Sequence, residues 1–111
     1  MRDIVENGVA TLEYTGGLDF DGYRKSKITR DATERCLSRI SEAGVKLGQL
    51  AEELFPNHDW LAIRNLGNVL RHNYPGVLDS VIWTTVTLRL PPLLADLNAF
   101  LSQYPHDQEV L

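Results

Sequence analysis

The sequence holds a single cysteine, Cys36, so it can form no internal disulfide and no cysteine-based zinc site. It lacks any uninterrupted apolar run of about 18 residues. Its start, MRDIVENG, has no apolar core of the kind a signal peptide needs, so a cytoplasmic protein with no membrane partner is expected. There is no internal repeat, no low-complexity tract and no linker long enough to separate domains. One domain over residues 1–111 follows, with about 105–111 as a frayed tail. Strict apolar–polar alternation is absent, which removes the signal for strands. The HxxxH spacing and paired carboxylates are also missing, so no metal or cofactor is implied. Basic charge is scarce as well: 11 Lys and Arg against 15 Asp and Glu give a net charge of −4. That balance argues against broad, whole-surface binding of nucleic acid, but not against a local site.

What is present is helical periodicity throughout. A first helix is predicted from about Arg2 to Tyr14, with Ile4, Val5, Val9 and Leu12 inward and Gly16-Gly17 as its stop. LDFDGYRKSK holds a turn and a short helix, with Phe20 and Tyr23 folding back on the core. A long second helix is predicted over Thr29–Leu54, where Ile40, Ala43, Leu47, Leu50 and Leu54 step by threes and fours. FPNHD breaks it, and Asp59 can cap the third helix. Pro75-Gly76 ends the third helix, and Asp79 can cap a fourth that carries Val81, Ile82, Val86 and Leu90. Pro91-Pro92 kinks or restarts the chain ahead of a last helix with Leu93, Leu94, Leu97, Phe100 and Leu101. Long helices with short connections predict an all-α, up-and-down bundle of four to five helices.

The third helix stands apart in chemistry. Residues 64–74 read RNLGNVLRHNY, with two arginines, three asparagines, a histidine and a tyrosine but no acid. Residues 60–75 carry +2, which leaves −6 for the rest of the chain. Trp60, Ile63, Gly67, Leu70 and Tyr74 form one stripe toward the core. Arg64, Asn65, Asn68, Arg71 and His72 fall within an arc of about 120° on another face. Histidine is the usual acid–base group near neutral pH, and the planar fork of arginine matches phosphate oxygens. Such a face suits cleavage of RNA by its own 2′-hydroxyl, which needs a base and a cation but no metal. The plainer alternative is a solvated polar face. Elsewhere the plain reading is preferred: Cys36, Trp60 and Trp83 as packing groups, His58 and His106 as surface residues, and Tyr14, Tyr23 and Tyr104 as helix-end groups with a wet hydroxyl.

MRDIVE, RDATERCLSRISEAG, WLAIRNLGNVLRHNY and IWTTVTLRLPPLLADL together resemble the HepT-like branch of the HEPN superfamily over nearly the whole chain. The shortest specific element is HNY, His72 to Tyr74, preceded by an arginine. The resemblance implies a homodimeric HEPN-like bundle in which the third helices of two protomers line a groove that cleaves RNA without metal. It further implies a toxin paired with an MNT-type nucleotidyltransferase antitoxin, which silences it by transferring AMP to the motif tyrosine, here Tyr74. Glu42 matches an acid common on the family's second helix and is expected to support structure or site. The chain departs from the family in its arginine. A spacing of four residues before the histidine would put it at position 67, which is Gly67. Arg64 and Arg71 are the candidates for its role beside His72, with Arg64 slightly favoured by the resemblance. Arg64 stands about 12 Å up the helix axis from His72, far for one shared phosphate within a single chain. Asn65 and Asn68 are expected to bind RNA. The competing function is a non-catalytic helical module that docks the nucleotidyltransferase or its nucleotide on the same face.

Overall fold

The computed structural model describes residues 1–72 and 77–103, for Val77 the backbone alone. Among them all regular secondary structure is helical: α1 (Arg2–Thr15), α2 (Phe20–Lys25), α3 (Lys27–Leu47), α4 (Gln49–Leu54), α5 (Trp60–His72), α6 (Val77–Thr84), a π-helical turn (Thr85–Arg89) and α7 (Leu90–Leu101). This is the helical bundle that the periodicity predicts. No helix among the described residues is long and apolar enough to cross a membrane.

Short polar side chains set the helix starts. Asp19 accepts the Gly22 amide at 2.7 Å ahead of α2, and Ser26 accepts the Thr29 amide at 3.3 Å ahead of α3. Asp59 accepts the Ala62 amide at 3.0 Å and so caps α5 as expected. Asp79 lies inside the first turn of α6 instead of before it, because the helix already starts at Val77.

α3 is the central post: α1 packs on one side of it and α5 on another, while α7 packs on α1. The core runs through Ile4, Leu37, Ile40, Trp60, Ile63, Leu66, Ile82, Leu93 and Leu97. Trp60 anchors α5, buried with its indole N–H donated to the Phe55 carbonyl at 2.8 Å.

Several expectations change. The helix predicted over Thr29–Leu54 is two helices, divided at Gly48, whose φ of 57° is a left-handed conformation that glycine adopts without strain. The break turns Leu54 outward while Ile40 and Ala43 stay buried. On α1, Val9 is exposed, and Gly8, Thr11 and Thr15 take the inward places beside Ile4. Pro91 and Pro92 restart the chain, one of the two outcomes expected of them, without leaving the helical path. They occupy the first turn of α7, and the wider preceding turn carries the helix into them, with the Leu90 amide bonding back to the Thr85 carbonyl. His58 is no surface residue: its side chain is 8% exposed and meets Asp96 at 2.6 Å, which ties the α4–α5 connection to α7.

Cys36 is buried and Trp83 stacks tilted against Tyr23 with ring centroids 5.4 Å apart, so both pack as expected. Tyr23 keeps no wet hydroxyl, however. It is buried without a hydrogen-bond partner among the described residues, and that burial raises its pKa.

Candidate active site

The exposed face of α5 is built from its seat on α3. Ser41, buried on α3, accepts the Gly67 amide at 3.0 Å and donates to the Arg64 carbonyl at 2.9 Å. One hydroxyl thereby fixes both the height and the rotation of α5. Where a Cβ on Gly67 would stand, Ser41 Oγ is 3.2 Å away, so the helices could not meet this closely with a larger residue there.

Arg64 belongs to this seat. Its Nη2 donates to the Gly48 carbonyl at 2.9 Å and its Nε to the Gly44 carbonyl at 3.4 Å. Both η nitrogens also grip the Glu52 carboxylate, Nη1 at 2.8 Å and Nη2 more tightly still. The guanidinium therefore satisfies carbonyls at the end of α3 and lashes the α3–α4 elbow to α5. Its side chain is 23% exposed. The hydrogen bond from Arg64 holds the Glu52 carboxyl below its ordinary value and raises that of Arg64 in return.

A stability prediction follows from this clamp. Arg64→Ala takes the side-chain donor from the Gly44 carbonyl, leaves the Gly48 carbonyl only the Ala51 amide, and is expected to cost about 2 kcal/mol. On a chain of this size that lowers the thermal midpoint by roughly 10 °C. The Glu52 contribution is full above the ordinary carboxylate range and is lost as pH falls through the depressed value. The gap between wild-type and variant midpoints should thus narrow in acid, without closing, because the carbonyl bonds remain. Calorimetry across pH checks both expectations.

Arg71 has different company. Its Nη2 donates to Asn68 Oδ1 in a short contact, and Asn68 Nδ2 donates to Asn65 Oδ1 at 2.9 Å. Its Nη1 lies 3.3 Å from the place a Gly67 Cβ would occupy. The side chain thus folds back one turn over a gap in the helix surface, in the direction helical side chains naturally lean. The cation of Arg71 stands over position 67, the place where the resemblance expects an arginine.

His72 is exposed at the end of α5, on the face that also shows Asn65 and Asn68. Arg71 and His72 fill the last turn, where positive charge complements the helix dipole. The structure thus joins Asn65, Asn68 and Arg71 in one hydrogen-bonded chain beside His72, and sets Arg64 apart in the clamp. Glu42 is exposed on α3, where its neighbour Ser41 makes the contact to α5. Tyr74 lies outside the described residues. Among those described, no group of three or more His, Cys, Asp or Glu residues is placed to hold a metal ion.

Sequence reasoning missed Ser41, Gly48 and Glu52. Ser41 left one trace, as a small polar residue between the inward positions Ile40 and Gly44. Glu52 left none, because its partner is twelve residues away and across a helix break.

Comparison with known proteins places the chain in a family. A family model described as ribonuclease HepT-like matches residues 6–100. A Methanocaldococcus jannaschii protein named as an RNase (MJ1380) is 31% identical over 93 residues, covering 84% of this chain and 85% of that protein. A second from the same organism, also named as an RNase (MJ0127), is 27% identical over 109 residues, 98% of this chain and 90% of its own length. A Thermococcus cleftensis protein named probable ribonuclease HepT is 30% identical over 93 residues, 84% of each chain. No solved structure matches significantly. With the family model matching residues 6–100 and a relative 31% identical over most of both chains, this protein belongs to the HepT-like ribonuclease family.

Proposed function

We propose that the protein is a metal-independent endoribonuclease, with His72 as the acid–base group and Arg71 as the cation on the reacting phosphate. The observation that carries this reading is the Arg71 guanidinium folded back over Gly67, on a helix that carries no acid and ends on His72. His72 takes the proton of a ribose 2′-hydroxyl, whose oxygen bonds to the adjacent phosphorus as the P–O5′ bond breaks. A protonated imidazole returns a proton to the departing 5′-oxygen. Arg71 stabilises the extra charge on the pentacoordinate phosphorus. Asn68 holds Arg71 in place, and Glu42 and Arg64 act on structure. Purified protein incubated with RNA in excess EDTA tests the proposal: cleavage by wild type and none by His72→Ala is the expected pair of results.

Two copies complete the site in this reading. Leu61, 75% exposed, shares the face of Asn65, Asn68 and His72, and an exposed leucine there suits contact with a second α5. Light scattering at tens of micromolar should return a dimer, and a monomer at that concentration would count against it.

The toxin role and the pairing with a nucleotidyltransferase belong to the same proposal. AMP attached to Tyr74 would add one negative charge two residues from His72 and compete with the RNA backbone for the cations. Co-expression with the partner transferase should add about 329 Da, one AMP group, to the protein. Tyr74→Phe should stay unmodified and remain toxic beside the antitoxin. An adduct on another tyrosine would sink the assignment to Tyr74.

The engagement of Arg64 in the clamp favours one further reading, a docking module without catalysis, since the arginine favoured by the resemblance is already committed to Glu52 and two carbonyls. Wild-type protein that leaves RNA intact yet binds the transferase would establish it.

A further inference from the structure

Between α5 and the run of α6 into the π-helical turn lies a groove of about 310 Å3. Leu66, Val69 and Val81 give it apolar walls, and Asn65, Thr84 and Arg89 give it polar ones. No carboxylate is among the described residues that line it. Arg89 is itself held by Asp59 at 3.0 Å. A wider-than-α turn on the wall is a common feature of binding sites.

The hydrogen-bond chain on α5 decides what this groove can recognise. A guanidinium can only donate, so Asn68 must meet Arg71 with its carbonyl oxygen. That turns the Asn68 amide nitrogen toward Asn65, which must accept with its own oxygen. Asn65 is left to offer its N–H donors to a ligand. The groove therefore pairs apolar walls with a donor-bearing rim, which fits a flat, apolar-faced group carrying a carbonyl oxygen. A phosphate would waste the apolar walls, and a hydrocarbon would leave the donors unmet. On an ideal helix Asn65 and His72 point within about 20° of each other, two turns apart along the axis.

We propose that this groove is a nucleobase subsite. It takes a base with a carbonyl where adenine and cytosine carry an amine, uracil through O4 or guanine through O6, in a nucleotide flanking the phosphate at His72, with Asn65 as the specificity-determining donor. The proposal rests on the ribonuclease reading above. Its test is arranged so that the two can fail separately.

Cleavage sites in a mixed-sequence RNA are mapped for wild type and Asn65→Asp. Aspartate keeps the shape and the acceptor toward Asn68 but replaces the donor with a second acceptor. Wild type should cut with U or G enriched at one fixed position beside the break. Asn65→Asp should lose about tenfold or more of that enrichment and gain A or C, whose N6 or N4 amine stands where guanine and uracil carry a carbonyl, at the same position. Preferences elsewhere should not change, whereas a merely structural effect would slow all sites alike. No base preference in wild type, or the wild-type preference retained in Asn65→Asp, overturns the subsite. If wild type does not cut RNA, the ribonuclease reading falls alone, and the groove is judged by binding of uncleavable 2′-O-methyl oligouridine against 2′-O-methyl oligoadenosine at one salt concentration. Tighter oligouridine binding that Asn65→Asp removes supports the subsite, and equal binding of the two oligomers overturns it.

Discussion

Replacing His72 with alanine is expected to lower RNA cleavage by at least about 100-fold, the usual worth of a positioned acid–base group. Stability should change by no more than about 0.5 kcal/mol, because the residue is exposed at a helix end and fills no core volume. Cleavage rate and thermal midpoint must be read on the same preparations. Loss of both would mean that the substitution damages the fold, and retention of cleavage would remove His72 from the mechanism. Growth inhibition in cells should follow the cleavage rate, since toxicity in this account is the RNA chemistry itself.

The second large effect falls on Arg71. Arg71→Ala removes the cation that meets the pentacoordinate phosphorus and is expected to lower kcat by roughly 100- to 1000-fold. Arg71→Lys should rescue little, since an ammonium neither spans two phosphate oxygens nor matches the contact to Asn68. Gly67→Ala bears on the same cation. A methyl group there would stand 3.3 Å from Arg71 Nη1 and 3.2 Å from Ser41 Oγ, so it pushes on both the guanidinium and the helix seat. Ser41→Ala separates the two effects, because it disturbs the seat and leaves the space over Gly67 open. A steep loss of cleavage in Gly67→Ala, with a much smaller loss in Ser41→Ala, is the expected pattern. By contrast, Arg64→Ala should unsettle the fold more than the chemistry of whatever protein remains folded. If Arg64→Ala abolished cleavage at full stability while Arg71→Ala did not, the assignment of the two arginines would be reversed.

Helix existence was readable because apolar spacing at threes and fours survives burial, as Trp60, Ile63 and the Leu93–Leu101 series show. Helix breaks were harder to read. Gly48 interrupts a stripe whose period continues on both sides, and only its positive φ, invisible in sequence, marks the elbow. The double proline was legible as a restart in a first turn that needs no proline N–H, but the π-helical turn that delivers the chain into it was not. On the site, composition alone singled out the face of α5, since acid-free stretches with two arginines and a histidine are detectable by counting. The division of labour between the arginines was not legible in the same way. It depends on Glu52 and the Gly44 and Gly48 carbonyls reaching Arg64 from a neighbouring helix pair, and on the empty space over Gly67 receiving Arg71. His58 shows the same limit of local reading: nothing near it in sequence announces Asp96, which covers it from α7.

The polar face of α5 is proposed to cut RNA through the substrate's own 2′-hydroxyl. It is tested most directly by incubating the purified protein, in excess EDTA, with an RNA oligonucleotide and with the same oligonucleotide carrying one 2′-deoxynucleotide on the 5′ side of the mapped break. The expected products are 2′,3′-cyclic phosphate and 5′-hydroxyl ends from the all-ribose strand, with no cut at the deoxy position. Cleavage of the deoxy linkage at an undiminished rate, or products ending in 3′-hydroxyl and 5′-phosphate, would contradict it.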